Sequence, residues 1–347
     1  MDDMIINRII DITRQRDMDS LELTFINSLA DIVPAKTISI YRSFNGSFTN
    51  SFNEAFLTSI SKDNNKWVFI NEKKIITTSK KLKQCLQSAS IIQFTTNDGL
   101  KHSFYPFFIE KKVAGAIYIE CSCDTESYQK LIKSMIDIYS NHLTVLNESE
   151  RDKLTTLLNR RTFDNRLNKL LDSQHCKQKS YQSSSANTEK RHYKPELCSW
   201  LAMLDIDNFK NINDEHGHLF GDEVILTLSQ QMRLFFRYSD LLFRFGGEEF
   251  VVILEPTSPD MAKQTFERFG QVVANYKFPQ IDKITISTGY ARITMNDYTH
   301  VILERADRAL YYAKQHGKNC VYNYEELVSK KHISERKSGE ATTFFDN

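Results

Sequence analysis

The chain has 347 residues, 41% apolar and 26% charged, which is too long for one ordinary core and suits two domains. With 45 Lys and Arg against 44 Asp and Glu, its formal net charge is +1, so the overall balance offers no grip on nucleic acid or an anionic membrane. No run of about eighteen apolar residues occurs, which argues against a membrane span.

The first residues, Met1-Asp2-Asp3-Met4-Ile5-Ile6-Asn7-Arg8, place acids where an export signal needs a basic start and an apolar run. A cytoplasmic location is therefore expected. Apolar positions at helical spacing follow from Met4 to Ala30: Ile5, Ile9, Ile12, then Leu21, Phe25, Ile26 and Leu29. Strands are expected at 37–41, 66–70, 91–95, 102–109 and 113–120, with a helix at 79–89 and a tight turn at Glu110-Lys111-Lys112. This order of helix, sheet and helix is similar to the GAF class of small-molecule sensor domains, with a PAS-like fold as the alternative. A sensory or dimerisation domain is accordingly expected over 1–124, taking an unidentified small-molecule or protein input. Six cysteines are scattered through the chain and are expected as reduced thiols. The pair in Cys121-Ser122-Cys123 has the wrong spacing for a zinc knuckle.

From Thr125 to Asn147 the pattern is helical again. Tyr128, Ile132, Met135, Tyr139, His142 and Leu146 alternate four and three apart, the spacing of a coiled-coil seam, and predict a helical connector over 125–151 that pairs two copies. His142 reads there as a packing residue. A helix is expected at 162–171, then a mobile polar insertion at about 172–196, whose core around Ser183-Ser184-Ser185 has no periodicity. Strand, helix, hairpin, helix and strand follow at 198–206, 220–236, 240–255, 260–276 and 283–293. A helix at 300–316 and a strand at 320–324 complete a domain over 152–328, and 329–347 reads as a frayed tail.

The chemistry-bearing stretch is Arg244-Phe245-Gly246-Gly247-Glu248-Glu249-Phe250, set between two apolar runs. Two glycines there predict a hairpin turn, on the ground that glycine alone takes φ > 0 without strain. Two acids on such a turn could simply face water. Leu201-Ala202-Met203-Leu204-Asp205-Ile206-Asp207 shifts the balance, because it reads as a buried strand ending in acids on one side of the pleat. Carboxylates at a strand end beside carboxylates on a hairpin suit a hard divalent cation and phosphoryl or nucleotidyl transfer.

Gly246-Gly247-Glu248-Glu249-Phe250 resembles the GGEEF form of the signature of GGDEF-domain diguanylate cyclases. Asp205-Ile206-Asp207-Asn208-Phe209-Lys210-Asn211-Ile212-Asn213-Asp214 and Gly217-His218-Leu219-Phe220-Gly221-Asp222 match further family blocks in order, and the resemblance covers about 152–324. It implies an α+β fold with α/β character, of the palm type shared with nucleotide cyclases. The expected core is β-α-β-β-α-β, with helices on one face of an antiparallel sheet. Asp152-Lys153-Leu154-Thr155-Thr156-Leu157 resembles the family's opening motif, where the position of Thr156 is usually glycine.

The resemblance also implies condensation of two GTP molecules to cyclic di-GMP by a homodimer. Asp205, the Ile206 carbonyl and Glu248 match the ligands of Mg²⁺, with Mn²⁺ as the alternative ion and Glu249 a second candidate ligand. Glu248 is also the candidate general base. Lys210, Lys314 and Lys318 match positions on the phosphates, although arginine is commoner where Lys318 stands. Asn213 and Asp222 match guanine contacts, the second accepting from N1–H and N2–H, and His218 matches a nucleotide contact. Taken singly, Asn213 and Asp222 could be a turn residue and a helix cap. Arg237-Tyr238-Ser239-Asp240, with Arg268, matches an inhibitory site for the product. The rival reading is an inactive domain that binds GTP or cyclic di-GMP as a signalling module. A cyclase making another cyclic dinucleotide is a third, decided at Asn213 and Asp222.

Overall fold

The computed structural model describes residues 2–42, 54–64, 66–122, 126–183, 197–237, 239–278, 283–294 and 297–334. The chain divides into two units, Met1–Ser149 and Glu150–Asn347.

In the first unit α1 (Asp2–Arg14) and α2 (Met18–Ile32) precede β1 (Thr37–Arg42), β2 (Glu54–Asp63) and β3 (Lys66–Thr77). The helical pattern breaks in two because the Asp17 carboxylate caps α2, accepting from the N–H groups of Asp19 and Ser20. Then come α3 (Lys80–Ser88), β4 (Ile92–Thr95), β5 (Lys101–Ile109), β6 (Lys112–Cys121) and α4 (Glu126–Glu150). The strands form one antiparallel sheet in the order β3-β2-β1-β6-β5-β4. Ile38, Ile40, Ile117 and Ile119 turn one face to a core shared with Leu21, Phe25 and Tyr139, while Phe104 and Ala116 pack with Leu82 and Leu86 of α3. Hydropathy does not reveal β2, because its buried Thr58 and Ser59 are polar. Thr58 donates to Glu22, and the Ser39 and Ser59 hydroxyls pair at 2.8 Å.

The four-and-three spacing on α4 has a different cause from the expected coiled-coil seam. Ile132, Met135, Tyr139 and Leu146 are buried in this unit's own core, with Tyr139 stacked on Phe25 at 4.3 Å. His142 Nε2 lies 3.0 Å from the Gln15 carbonyl oxygen. The helix itself spans the range expected at 125–151, but a stripe used up inside its own unit is no free pairing surface.

In the second unit β7 (Leu158–Asn159) and α5 (Arg160–Ser183) lead to β8 (Cys198–Ile206), α6 (Phe209–His216) and α7 (His218–Phe235). The hairpin β9 (Leu241–Arg244) and β10 (Glu249–Thr257) follows, then α8 (Pro259–Asn275), β11 (Ile286–Arg292), α9 (Thr299–Gln315), β12 (Val321–Asn323) and α10 (Tyr324–Ser329). The sheet runs β12-β11-β8-β10-β9-β7. Its central β8 is antiparallel to both neighbours, whereas the edge strands β12 and β7 lie parallel to theirs.

The core's own helices α7 and α8 lie on one face of this sheet, as expected, and α5 and α9, outside that core, cover the other. Trp200, Ala202, Leu204 and Ile206 pack with Leu228 of α7 and Phe266 of α8, while Leu201 and Met203 pack with Phe163 of α5 and Leu310 of α9. A strand buried on both sides reads as a continuous apolar run, as β8 does. At Gly289 an added Cβ would come within 1.9 Å of the Leu310 backbone nitrogen, so α9 lies directly on β11. Residues 172–183, expected in an irregular insertion, continue α5, and 184–196 lie outside the described residues. The expected tail is folded at its start: Ile333 packs on the core and the Ser334 carbonyl accepts from Arg308 at 2.8 Å. Residues 335–347 lie outside the described part.

Candidate active site

The acids meet at the C-terminal end of β8. Pairing of β8 with β10 sets Glu249 directly opposite Asp205, and the Ile206 N–H reaches the Glu248 carbonyl at 3.4 Å. Asp205 is 3% exposed and its Oδ2 takes the Lys314 ammonium of α9 at 2.8 Å. Burial pushes the Asp205 carboxyl up, Lys314 opposes this, and Glu249 and Asp207 add to it. Glu248 is likewise raised, first by burial and then by the Asp205 charge. Crowded carboxylates of this kind call for a cation. Among the described residues no group of three or more His, Cys, Asp or Glu side chains is arranged to hold a metal ion. The donors present, two carboxylates and a carbonyl, are nevertheless all oxygens of the kind a hard divalent cation takes, the rest of its shell coming from water and phosphate.

Asp207 does not share this role. Its carboxylate accepts from Ser287 Oγ at 2.6 Å, Thr285 Oγ1 at 2.7 Å and the Asn319 N–H at 2.9 Å, away from the pairing of Asp205 with Lys314.

The signature turn is held from outside. Arg244 donates from Nε and Nη2 to the Gly247 carbonyl at 3.2 and 2.9 Å, and from Nη1 to Asp152 at 3.1 Å. Phe245 packs edge-on against Phe163 at 5.3 Å. Neither Gly246 nor Gly247 takes a positive φ, contrary to the reason expected for them. An added Cβ at Gly246 would stand 2.6 Å from Glu249 Oε2, the tip of that side chain. Arg244 is the site residue that the motif reading leaves as a plain strand residue. The signal for it is position, since it ends β9 opposite Phe250 and immediately before the turn.

The nucleotide-facing candidates lie on α6, α7 and the loop after α9. Lys210 is exposed near the start of α6, and Asn213 stands one turn on. An added Cβ at Gly221 would meet Asn213 Oδ1 at 2.0 Å, so the amide rests against α7 beside the exposed Asp222. The caps of these helices are Asn208 and Gly217, which removes the capping alternative for Asp222 and the turn alternative for Asn213. His218 opens α7 and is exposed. Lys318 Nζ donates to Asn208 Oδ1 at 2.5 Å, beside the β8 terminus. On α9, Asp307 is pushed up by burial, with the Lys314 charge opposing.

At the expected product site the Asp240 carboxylate builds the turn. It accepts from the N–H groups of Arg237 at 2.9 Å and Glu255 at 3.1 Å, and burial raises it. The Arg237 side chain is exposed, and the Arg268 guanidinium lies 5.6 Å from the ring centre of Phe235.

A family model described as "Diguanylate cyclase, GGDEF domain" matches residues 149–320. The diguanylate cyclase DgcP of Pseudomonas aeruginosa is 43% identical over 122 residues, which cover 34% of this chain and 18% of that protein. DgcZ of Escherichia coli, also a diguanylate cyclase, is 36% identical over 136 residues, 38% of this chain and 46% of that protein. The chain thus spans under half the length of these curated relatives. Among solved structures, the GGDEF domain of DgcB from Caulobacter crescentus, in complex with c-di-GMP, is 30% identical. That match covers 51% of this chain and 94% of the domain, with a TM-score of 0.41.

Proposed function

We propose that this chain, which belongs to the GGDEF family of diguanylate cyclases through residues 149–320, condenses two GTP molecules into cyclic di-GMP and two pyrophosphates. The observation that carries this reading is the convergence at the end of β8: Asp205 opposite Glu249, Glu248 bonded through its backbone to Ile206, and Lys314 on Asp205. Asp205, the Ile206 carbonyl and Glu248, with Glu249 in reserve, would hold Mg²⁺ or Mn²⁺, which when bound would shield phosphate charge and acidify the attacking 3′-hydroxyl.

The chain's own residues supply the rest. Glu248, raised by burial and by the Asp205 charge, is the candidate general base for the attacking hydroxyl. Lys314, bridging towards Asp205, and the exposed Lys210 and Lys318 present ammonium groups to a triphosphate. Asp222 accepts from the guanine N1–H and N2–H edge, while Asn213, fixed against Gly221, donates to O6, and His218 contacts the nucleotide. One unit holds one GTP, so turnover requires two copies with their sites face to face. The N-terminal unit is the sensory part, which its antiparallel sheet with helices on both faces supports. Arg237 and Arg268 offer guanidinium groups to returning product, on a turn that Asp240 shapes. No described helix is long and apolar enough to cross a membrane, and we place the activity in the cytoplasm.

The test is incubation of purified protein with Mg²⁺ and GTP beside Glu248→Ala, with products identified by mass. Cyclic di-GMP from the wild type, and a loss of about a hundredfold or more in the variant, is expected. Nucleotide binding without any cyclic dinucleotide, at several protein concentrations, would move the assignment to a binding module.

A further inference from the structure

Asp207 is 5% exposed, and its three donors come from three places: Ser287 on β11, Thr285 just before it, and the backbone of Asn319 beyond α9. The last of these matters most. Gly317, Lys318 and Asn319 all take left-handed φ values of 106°, 57° and 49°. Only the glycine does so without cost, so two consecutive residues here adopt a conformation the free chain disfavours. The loop keeps it through the Asn319 N–H on Asp207, the Lys318 N–H on the Ala313 carbonyl at 3.1 Å, and Lys318 Nζ on Asn208.

We propose that Asp207 is a positioning residue, a latch that seats the Lys318 loop on the strand bearing Asp205 and so sets the grip on the nucleotide's phosphates. This rests on the GTP reading above. Asp207 itself touches neither nucleotide nor cation. With its carboxylate removed, the loop relaxes towards ordinary φ values and carries the Lys318 ammonium away from the β8 terminus. The loss then falls on nucleotide binding rather than on the chemical step.

The experiment compares wild-type full-length protein with Asp207→Ala, Lys318→Ala and the double variant. It reads KM and kcat for GTP, the Mg²⁺ concentration for half-maximal rate, and affinity for a non-hydrolysable GTP analogue. Asp207→Ala is expected to raise KM and weaken analogue binding roughly tenfold, the scale of one lost hydrogen-bonded charge. It should leave kcat within about threefold and the Mg²⁺ requirement unchanged, since neither depends on Lys318. The double variant should be no worse than Lys318→Ala alone, because both changes remove one interaction. Additive effects, or a fall in kcat with a shifted Mg²⁺ requirement, would overturn the latch. If Asp207→Ala fails to fold, Thr285→Val and Ser287→Ala each remove one donor and should raise KM about two- to threefold. Unchanged KM in both would also overturn it. Wild-type protein that binds the analogue yet makes no cyclic dinucleotide would sink the cyclase reading, while the binding arm still decides the latch.

Discussion

Gly221 is small for the sake of its neighbour. A methyl there would displace the Asn213 amide by occupying its place, although helix α7 itself would gain slightly from alanine. Gly221→Ala is therefore expected to raise KM for GTP about fivefold and to narrow the preference for GTP over ATP. No gain in thermal stability should accompany this, because the methyl would also stand 3.0 Å from the buried Phe209 ring. Equal KM values would separate Asn213 from base recognition. Asp152 gives a prediction in pH. Burial would raise its carboxyl, but the N–H and hydroxyl of Thr155 and the Arg244 guanidinium outweigh burial and hold it below the ordinary range. On acidification the unfolded chain takes up this proton first. The contribution is thus whole above about pH 4 and is lost as pH falls through the folded value. Urea midpoints between about pH 5 and 3 should fall more steeply for the wild type than for Asp152→Asn; parallel curves would refute this.

Thr156 bears on the element that leads into the second unit. It takes φ 57°, and Arg233 donates to its hydroxyl and, at 2.5 Å, to the Thr155 carbonyl. A β-branched residue in that region costs about 1–2 kcal/mol, against about 0.5–1 kcal/mol for the extra unfolded-state freedom of glycine. Strain therefore outweighs that freedom, and Arg233 keeps its carbonyl partner, so Thr156→Gly should stabilise by up to about 1 kcal/mol in denaturant titration. A loss of stability would show the hydroxyl contact to outweigh the strain. The motif resemblance marked this position but not its conformation. Elements with apolar runs were legible throughout, β8 above all, whereas β2 was hidden because its buried Thr58 and Ser59 are polar and find their partners on other elements, Glu22 of α2 and Ser39 of β1. That Asp205, Glu248 and Glu249 come together was legible from the strand and hairpin pattern. The separate employment of Asp207 was not, since its donors Ser287 and Asn319 lie 80 and 112 residues away.

On the scale of the whole molecule, two units with separate cores should unfold separately. Calorimetry is expected to show two transitions, with GTP analogue and Mg²⁺ raising only one of them. A single transition shifted as a block would mean that the cores melt together. The stripe on α4 reads as a coiled coil in sequence because a helix buried against its own sheet and one buried against a twin need the same spacing. Arg244 carries a further consequence. One flat guanidinium touches Asp152, 92 residues earlier in the chain, and the carbonyl next to Glu248. A single guanidinium plate thus ties the place where the backbone enters this unit to the turn that carries the acidic corner.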